Sequence, residues 1–227
     1  MNDVVPVSRA AKWLVGDRLA SVLHLGDGPL AYELADQGHE VTVVGSDVVA
    51  ARSRHVNYVR TDGDRLPFRS NSFDVVVAPE LNEAPSSLAE YARVLVKDGL
   101  LSTMARHYDD SIPWMRKLRQ ITGDRSTLIA PVATFTASGL FHEPESQKFN
   151  AWENLDLPTL MRFAEQTKDP EVPLSALAEV EGLWHEYGRG SGSLRLRHET
   201  ECLRARVDKS ALPAEPDPPD TVLIDFS

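Results

Sequence analysis

The stretch VLHLGDGPLAYELADQGHEVTVVGSD, residues 22–47, decides the fold. Its first four residues are largely apolar and β-compatible, and they run into a loop with glycines at Gly26 and Gly28. Leu30-Ala31 and Leu34-Ala35 then give a helix its apolar face at i, i+1, i+4 and i+5, and Gly38 stands where that helix should stop. The run 41–44 reads as a buried strand of the short, nearly continuous apolar kind found in parallel sheets. Strand, glycine loop, helix and strand in this order make a βαβ unit. The loop then lies at the carboxyl end of the first strand, where open α/β sheets bind their ligands.

The alternation continues outward. Residues 7–16 form a helical lead-in, 56–59 and 73–78 are two further buried strands, 88–95 is a helix closed by Gly99, and 100–104 is the fifth strand. This pattern predicts an α/β protein with a doubly wound, Rossmann-like sheet and helices on both faces. Beyond Met104, 112–121 reads as helix, 133–136 and 147–152 as strands, 157–166 and 174–187 as helices, and 194–207 alternates as a final strand. One domain over 1–207 follows, with cap elements at 105–190 and a tail at 208–227 rich in proline and acids. The end of that tail, 222–226, is apolar, and two readings stand: a disordered terminus, or a strand that adds to the edge of this domain or of a partner.

The segment VRTDGDRLPFRSNSFDVVVAPELNEAP, residues 59–85, follows the pattern GDAExLPFxDxSFDVVV at Asp62, Asp64, Leu66-Pro67-Phe68 and Ser72-Phe73-Asp74. ARVLVKDGLL, residues 92–101, follows RVLKPGGxL. With the glycine loop, these motifs resemble the class I S-adenosylmethionine-dependent methyltransferases. RHYDDSIPWMRKL (106–118) and SGLFHEPESQKFNAWENLD (138–156) are similar to segments of the small-molecule, trans-aconitate methyltransferase-like branch. There they build a cap over the acceptor site.

The resemblance implies a cofactor, S-adenosylmethionine, and a place for it. Gly26 and Gly28 let backbone approach the methionine and ribose parts, because a Cβ would stand in the way. Asp62 accepts from the adenine amino group, with Gly63 or Leu66 beside the ring. The family loop reads LDLGCGTG, and here His24 replaces its acid and Leu30 its third glycine. Asp27, one loop position away, is placed to reach the cofactor's ammonium, while His24 is either part of that site or a structural histidine capping loop carbonyls. The ribose acid has two alignments: one puts Gly45 at its place, the other Asp47. Strand period two keeps Asp47 on the same face. After the fourth strand, Glu80 and Asn82 are the polar residues nearest the transferred methyl. His107, Tyr108, Trp114 and His142 fall in the cap-building segments, with Trp114 expected in the core. If the acceptor is a hydroxyl, Glu80 or His107 is the catalytic base; if it is a carboxylate, neither is needed.

Composition narrows the partners. The net charge is −10, from 34 acidic and 24 basic residues, with no cluster of Lys and Arg, which speaks against a nucleic-acid partner. No apolar run approaches the length of a membrane span, and the first sixteen residues carry no secretory pattern, so a cytoplasmic location is the expectation. Cys202 is the only cysteine, which excludes an internal disulfide and a multi-cysteine zinc site; no metal site is expected. The expected partner is a small-molecule substrate, and a homodimer or a tail-mediated contact stays open. Against the enzyme stands a fold-only relative with lost or weakened cofactor binding that serves as a binding or regulatory module. An NAD-dependent oxidoreductase is disfavoured by the missing third glycine.

Overall fold

The computed structural model describes residues 5–46, 55–61, 65–124 and 132–212. In chain order the elements are α1 (Val5–Val15), β1 (Ser21–Leu25), α2 (Pro29–Asp36), β2 (Glu40–Gly45), β3 (Val56–Arg60), β4 (Phe73–Val77), α3 (Pro85–Val94) and β5 (Leu95–Tyr108). There follow α4 (Pro113–Thr122), α5 (Val132–Ala137), β6 (Glu145–Leu155), α6 (Leu157–Thr167), α7 (Leu177–Tyr187) and β7 (Leu194–Arg206). Seven strands form one sheet in the order β3-β2-β1-β4-β5-β7-β6. The first five pair in parallel, and β7 runs antiparallel to both of its neighbours. The doubly wound α/β expectation therefore holds, with one reversed strand added to it.

Period two along the strands divides the core. Val22 of β1 packs with Ala11 and Leu14 of α1 and Leu34 of α2 on one face. Leu23, its neighbour, packs with Leu88 and Tyr91 of α3 and Phe135 of α5 on the other. α2 starts at Pro29, whose missing N–H costs nothing in a first turn, and Gly38, at φ 94, lies just beyond its end.

Three expectations need correction. Residues 133–136, expected as a strand, lie in α5 although β-branched residues alternate there. Helical phase lets Phe135 bury completely and meet Phe141 edge to face at 5.9 Å, so tertiary packing overrides local propensity. Gly99 does not close a helix: α3 ends at Val94 and β5 begins at once. A Cβ on Gly99 would stand 2.9 Å from the Val96 carbonyl oxygen and 3.0 Å from that of Asp74, so only glycine passes there. Residues 145–155, given to the cap, are the edge strand β6 of the sheet itself.

The pairing of β4 with β5 ends at Val77 opposite Ser102, with Ala78 adding one further bond, yet β5 continues to Tyr108. Its last six residues, with the matching parts of β7 and β6, form an overhang of about 20 Å beyond the carboxyl end of the central strands. One face of the overhang carries Leu194, Leu196 and Leu155, covered by α4, α6 and α7 in a third apolar cluster with Trp114, Met115 and Leu183. Trp114 is thus core, as expected. The opposite face is polar and open. Among the described residues, no helix is long and apolar enough to cross a membrane. The first residues of the expected tail are anchored: Lys209 donates to the carbonyls of Ala92 at 2.6 Å and Arg93 at 3.1 Å, tying the chain to the end of α3. The rest of the tail, 213–227, lies outside the described residues.

Candidate functional site

The glycine loop sits where β1 delivers it, between the carboxyl ends of β2 and β4. Gly26 has φ 77, and a Cβ there or on Gly28 would meet nothing within 4 Å among the described residues, so none of their side chains covers the backbone of the loop. Gly28 is the N-cap of α2 with no side-chain cap; Pro29 has no N–H and Ala31 N donates back to the Gly28 carbonyl at 3.1 Å, so the first turn itself offers a ligand little beyond the Leu30 N–H. Asp27 is exposed and accepts a hydrogen bond from the Tyr32 hydroxyl at 2.7 Å.

His24 is not part of the open surface. It is 1% exposed, and its Nδ1 lies 2.8 Å from the Gly26 carbonyl oxygen. A carbonyl only accepts, so Nδ1 carries the proton and donates, leaving Nε2 as a buried acceptor without a partner among the described residues. Burial pushes the pKa of His24 below its ordinary value and keeps the ring neutral. Of the two roles open to His24, the structure therefore assigns the loop staple. Leu30 also turns away from the loop. It is 6% exposed and packs among Ala10, Leu14 and Leu34, so its side chain does not occupy the space above the glycines.

Asp47, Asp62 and Gly63 lie outside the described residues. The loop that follows them is gripped by α3. Glu90 accepts from Leu66 N at 3.0 Å and is held by Arg93 at 2.7 and 2.8 Å, and Arg93 donates to the carbonyls of Phe68 at 2.8 Å and Leu66 at 3.1 Å. The Arg93 guanidinium holds the Glu90 carboxyl below its usual range. This clamp joins the LPF and ARVL motifs in space. Glu80 is exposed just past the carboxyl end of β4, whereas Asn82 spends its side-chain oxygen on Ala84 N at 3.0 Å, and Glu83 accepts from Thr134 of α5.

A second polar centre lies on the open face of the overhang, around a cavity of about 270 Å³. His107, Tyr108, Asp109 and Asp110 come from β5 and the turn after it, and Asn150, Arg197 and Glu199 from β6 and β7. The register places His107, Glu199 and Asn150 in one row across three strands. His107 Nε2 is buried 3.7 Å from the Glu201 carboxylate, too far for a hydrogen bond, and has no other partner among the described residues. Glu199 is paired with Lys148 at 2.8 Å and Asp110 with Arg119 at 2.5 Å, while Asp109 accepts from Ser111 Oγ at 2.5 Å. The Ser111 hydrogen bonds are the main cause that lowers the Asp109 carboxyl below its ordinary value.

Of the residues expected in the acceptor pocket, His107 and Tyr108 line this cavity and His142 does not. The backbone of His142 pairs with Arg206, seven residues along β7 from Glu199, which places it about 23 Å away toward the amino end of the sheet. Asn150, Arg197 and Glu199 were missed. Their signal was in the sequence: in LRLRHETECLRAR, positions 195, 197, 199 and 201 are all charged, so the strand's second face carries charge over four successive positions.

Comparison with known proteins follows this geometry. Residues 23–103 match the family model described as a methyltransferase domain. Uncharacterised methyltransferases of Mycobacterium tuberculosis and Mycobacterium bovis are 26% identical over 217 residues, covering 87% of this chain and 88% of the relative. Among solved structures, a putative type II methyltransferase from Anaeromyxobacter dehalogenans superposes with a TM-score of 0.65 at 17% identity, over 91% of this chain and 97% of that one. A putative methyltransferase from Bacillus halodurans gives 0.52 at 15% identity, over 88% and 97%.

Proposed function

We propose that this chain is a class I S-adenosylmethionine-dependent methyltransferase that binds S-adenosylmethionine on its glycine loop and methylates a small molecule held under the overhang. The observation that carries the reading is the open cradle at Gly26 and Gly28, left clear because Leu30 turns into the core and His24 is consumed beneath the loop. The family's letters are altered there, but the space is kept. The trans-aconitate-like branch stays a resemblance, since the comparisons reach the class and not the branch.

Gly26, Asp27 and Gly28 would hold the methionine end, with loop N–H groups and the Asp27 carboxylate facing its charged groups. Asp47 and Asp62 keep the ribose and adenine roles that the resemblance gives them, with Gly63 beside the ring. When bound, S-adenosylmethionine supplies an activated methyl group for in-line displacement, so the protein's work is positioning and, for some acceptors, proton removal. Glu80 stands exposed just past the carboxyl end of β4, a central strand of the sheet. His107 stands on the overhang as the second candidate base, its ring half-exposed at the cavity and its Nε2 buried 3.7 Å from the Glu201 carboxylate.

Calorimetric titration of the full chain with S-adenosylmethionine and S-adenosylhomocysteine tests this. Micromolar binding of both is expected, weakened by Asp27→Asn. Absence of any binding would overturn the enzyme reading and leave the fold as a binding or regulatory module.

A further inference from the structure

We propose that the acceptor is a small oxyanion-bearing molecule, a carboxylate or a phosphate ester, whose anionic group docks on Arg197 and Asn150 while its reactive end lies toward His107. This deepens the functional reading above and rests on it for the reaction, though not for the binding.

Arg197 and Asn150 carry unspent hydrogen-bonding capacity toward the cavity. The lining acids are committed: Asp110 to Arg119, Glu199 to Lys148 and Asp109 to Ser111, at 2.5–2.8 Å. Arg197 is not. Its guanidinium reaches Asp109 Oδ2 and Asn150 Oδ1 only at 3.4 Å each, and its side chain is 43% exposed. Asn150 accepts that one long contact, and its amide N–H groups have no partner among the described residues. A planar fork of donors beside a free amide, both facing a cavity, is the chemistry that recognises a carboxylate or phosphate. A cation would have to displace the close partners of the acids, whereas an anion displaces only two contacts at the limit of hydrogen-bond length.

Polarity along β7 gives the orientation. Residues 197, 199 and 201 share one face, and Arg197 is four residues, about 13 Å, from Glu201. Glu201 and His107 lie nearer the central strands, where β4 and the glycine loop end; Arg197 lies farther out. A molecule anchored at Arg197 therefore points its other end back past His107 toward the cofactor site. The cavity of about 270 Å³ lies near the lower bound for sites that hold small ligands, which limits the acceptor to a compact metabolite.

The test is a titration of the full chain, saturated with S-adenosylhomocysteine and also without it, using malonate, inorganic phosphate and tetramethylammonium chloride at constant ionic strength. Thermal shift and the His107 imidazole proton resonances report binding. Malonate or phosphate should raise the melting temperature and move the His107 signals, and the stronger of the two names the anion class. Arg197→Gln should weaken that binding by roughly tenfold or more, as expected for a lost charge-assisted fork, with Arg197→Lys intermediate. Arg197 is solvent-facing, so unchanged melting of the two unliganded variants separates a binding defect from misfolding. The proposal is overturned if tetramethylammonium binds and neither anion does, if no probe binds, or if Arg197→Gln binds the anion as well as the parent. Anion binding without S-adenosylhomocysteine binding would sink the methyltransferase activity and keep this site.

Discussion

Exchange of His24 for aspartate and Leu30 for glycine would give the loop the letters of the family pattern, and in this structure it should cost stability without tightening cofactor binding. Leu30 is buried among Ala10, Leu14 and Leu34. Truncating a buried leucine costs about 2–5 kcal/mol, and glycine in a helix adds roughly 1. His24 donates to the Gly26 carbonyl at 2.8 Å; an aspartate there can only accept, so it loses the bond and sets two oxygens against each other, for about 1–3 kcal/mol more. Neighbouring sites need not add, but even the lower ends amount to ~4 kcal/mol, a large share of an ordinary domain's stability. At roughly 2–4 °C per kcal/mol, the melting temperature should fall by about 8 °C or more. Circular dichroism melting and calorimetric titration with S-adenosylhomocysteine read the two effects. His24→Asn, which keeps a donor, should melt near the parent. If the double variant melts within about 3 °C of the parent and binds the cofactor product more tightly, the loop-staple account of His24 and the core account of Leu30 are both wrong.

Stability should also decline as pH falls from about 6.5 toward 4, because burial lowers the pKa of His24 and takes His198 down to about 4, so both stay neutral in the fold while the unfolded chain takes up protons first. Urea midpoints across that range check this, and His198→Gln should flatten the slope; a level profile in the parent refutes it. Arg93→Met opens the clamp on Leu66 and Phe68 and should lower stability by about 2–3 kcal/mol and weaken adenosine binding as well. Unfolding and adenosine titration measure the two, and an unaltered adenosine affinity would separate the clamp from the cofactor site. Deleting residues 213–227 should leave the melting temperature unchanged, while deleting 208–227 should lower it through loss of the Lys209 contacts. Equal melting of the two truncations counts against the anchor.

The central βαβ units were legible because buried strands and amphipathic helices leave periodic patterns, as at 41–44 and 30–35. α5 was not, since Val132, Thr134 and Thr136 favour a strand locally and only the partners of Phe135 decide otherwise. The place of β6 at the edge of the main sheet is not legible, because pairing partners as far apart as Glu145 and Arg204 leave no local trace. The glycine loop was visible as a motif, but the direction of the Leu30 side chain depends on helix phase against α1. Whether His24 donates or accepts depends on one carbonyl two residues on, a polarity that residue identity alone does not encode.

The place of β7 in the sheet bears on how the protein is made. β5 and β6 are both complete before β7 is synthesised, yet neither can pair with the other, because β7 must lie between them. Until residues 194–206 leave the ribosome, β5 holds a bare flank of backbone donors and acceptors, and β6 has no partner at all. Such flanks invite pairing with other chains. The charged residues at alternate positions of these late strands, Lys148, Arg197, Glu199 and Glu201, make a stacked intermolecular sheet unfavourable during that interval. Arg197 and Glu199, which later line the cavity, thus protect the nascent chain before the cavity exists, and replacing several of these charged residues with apolar ones should appear first as insoluble product during expression.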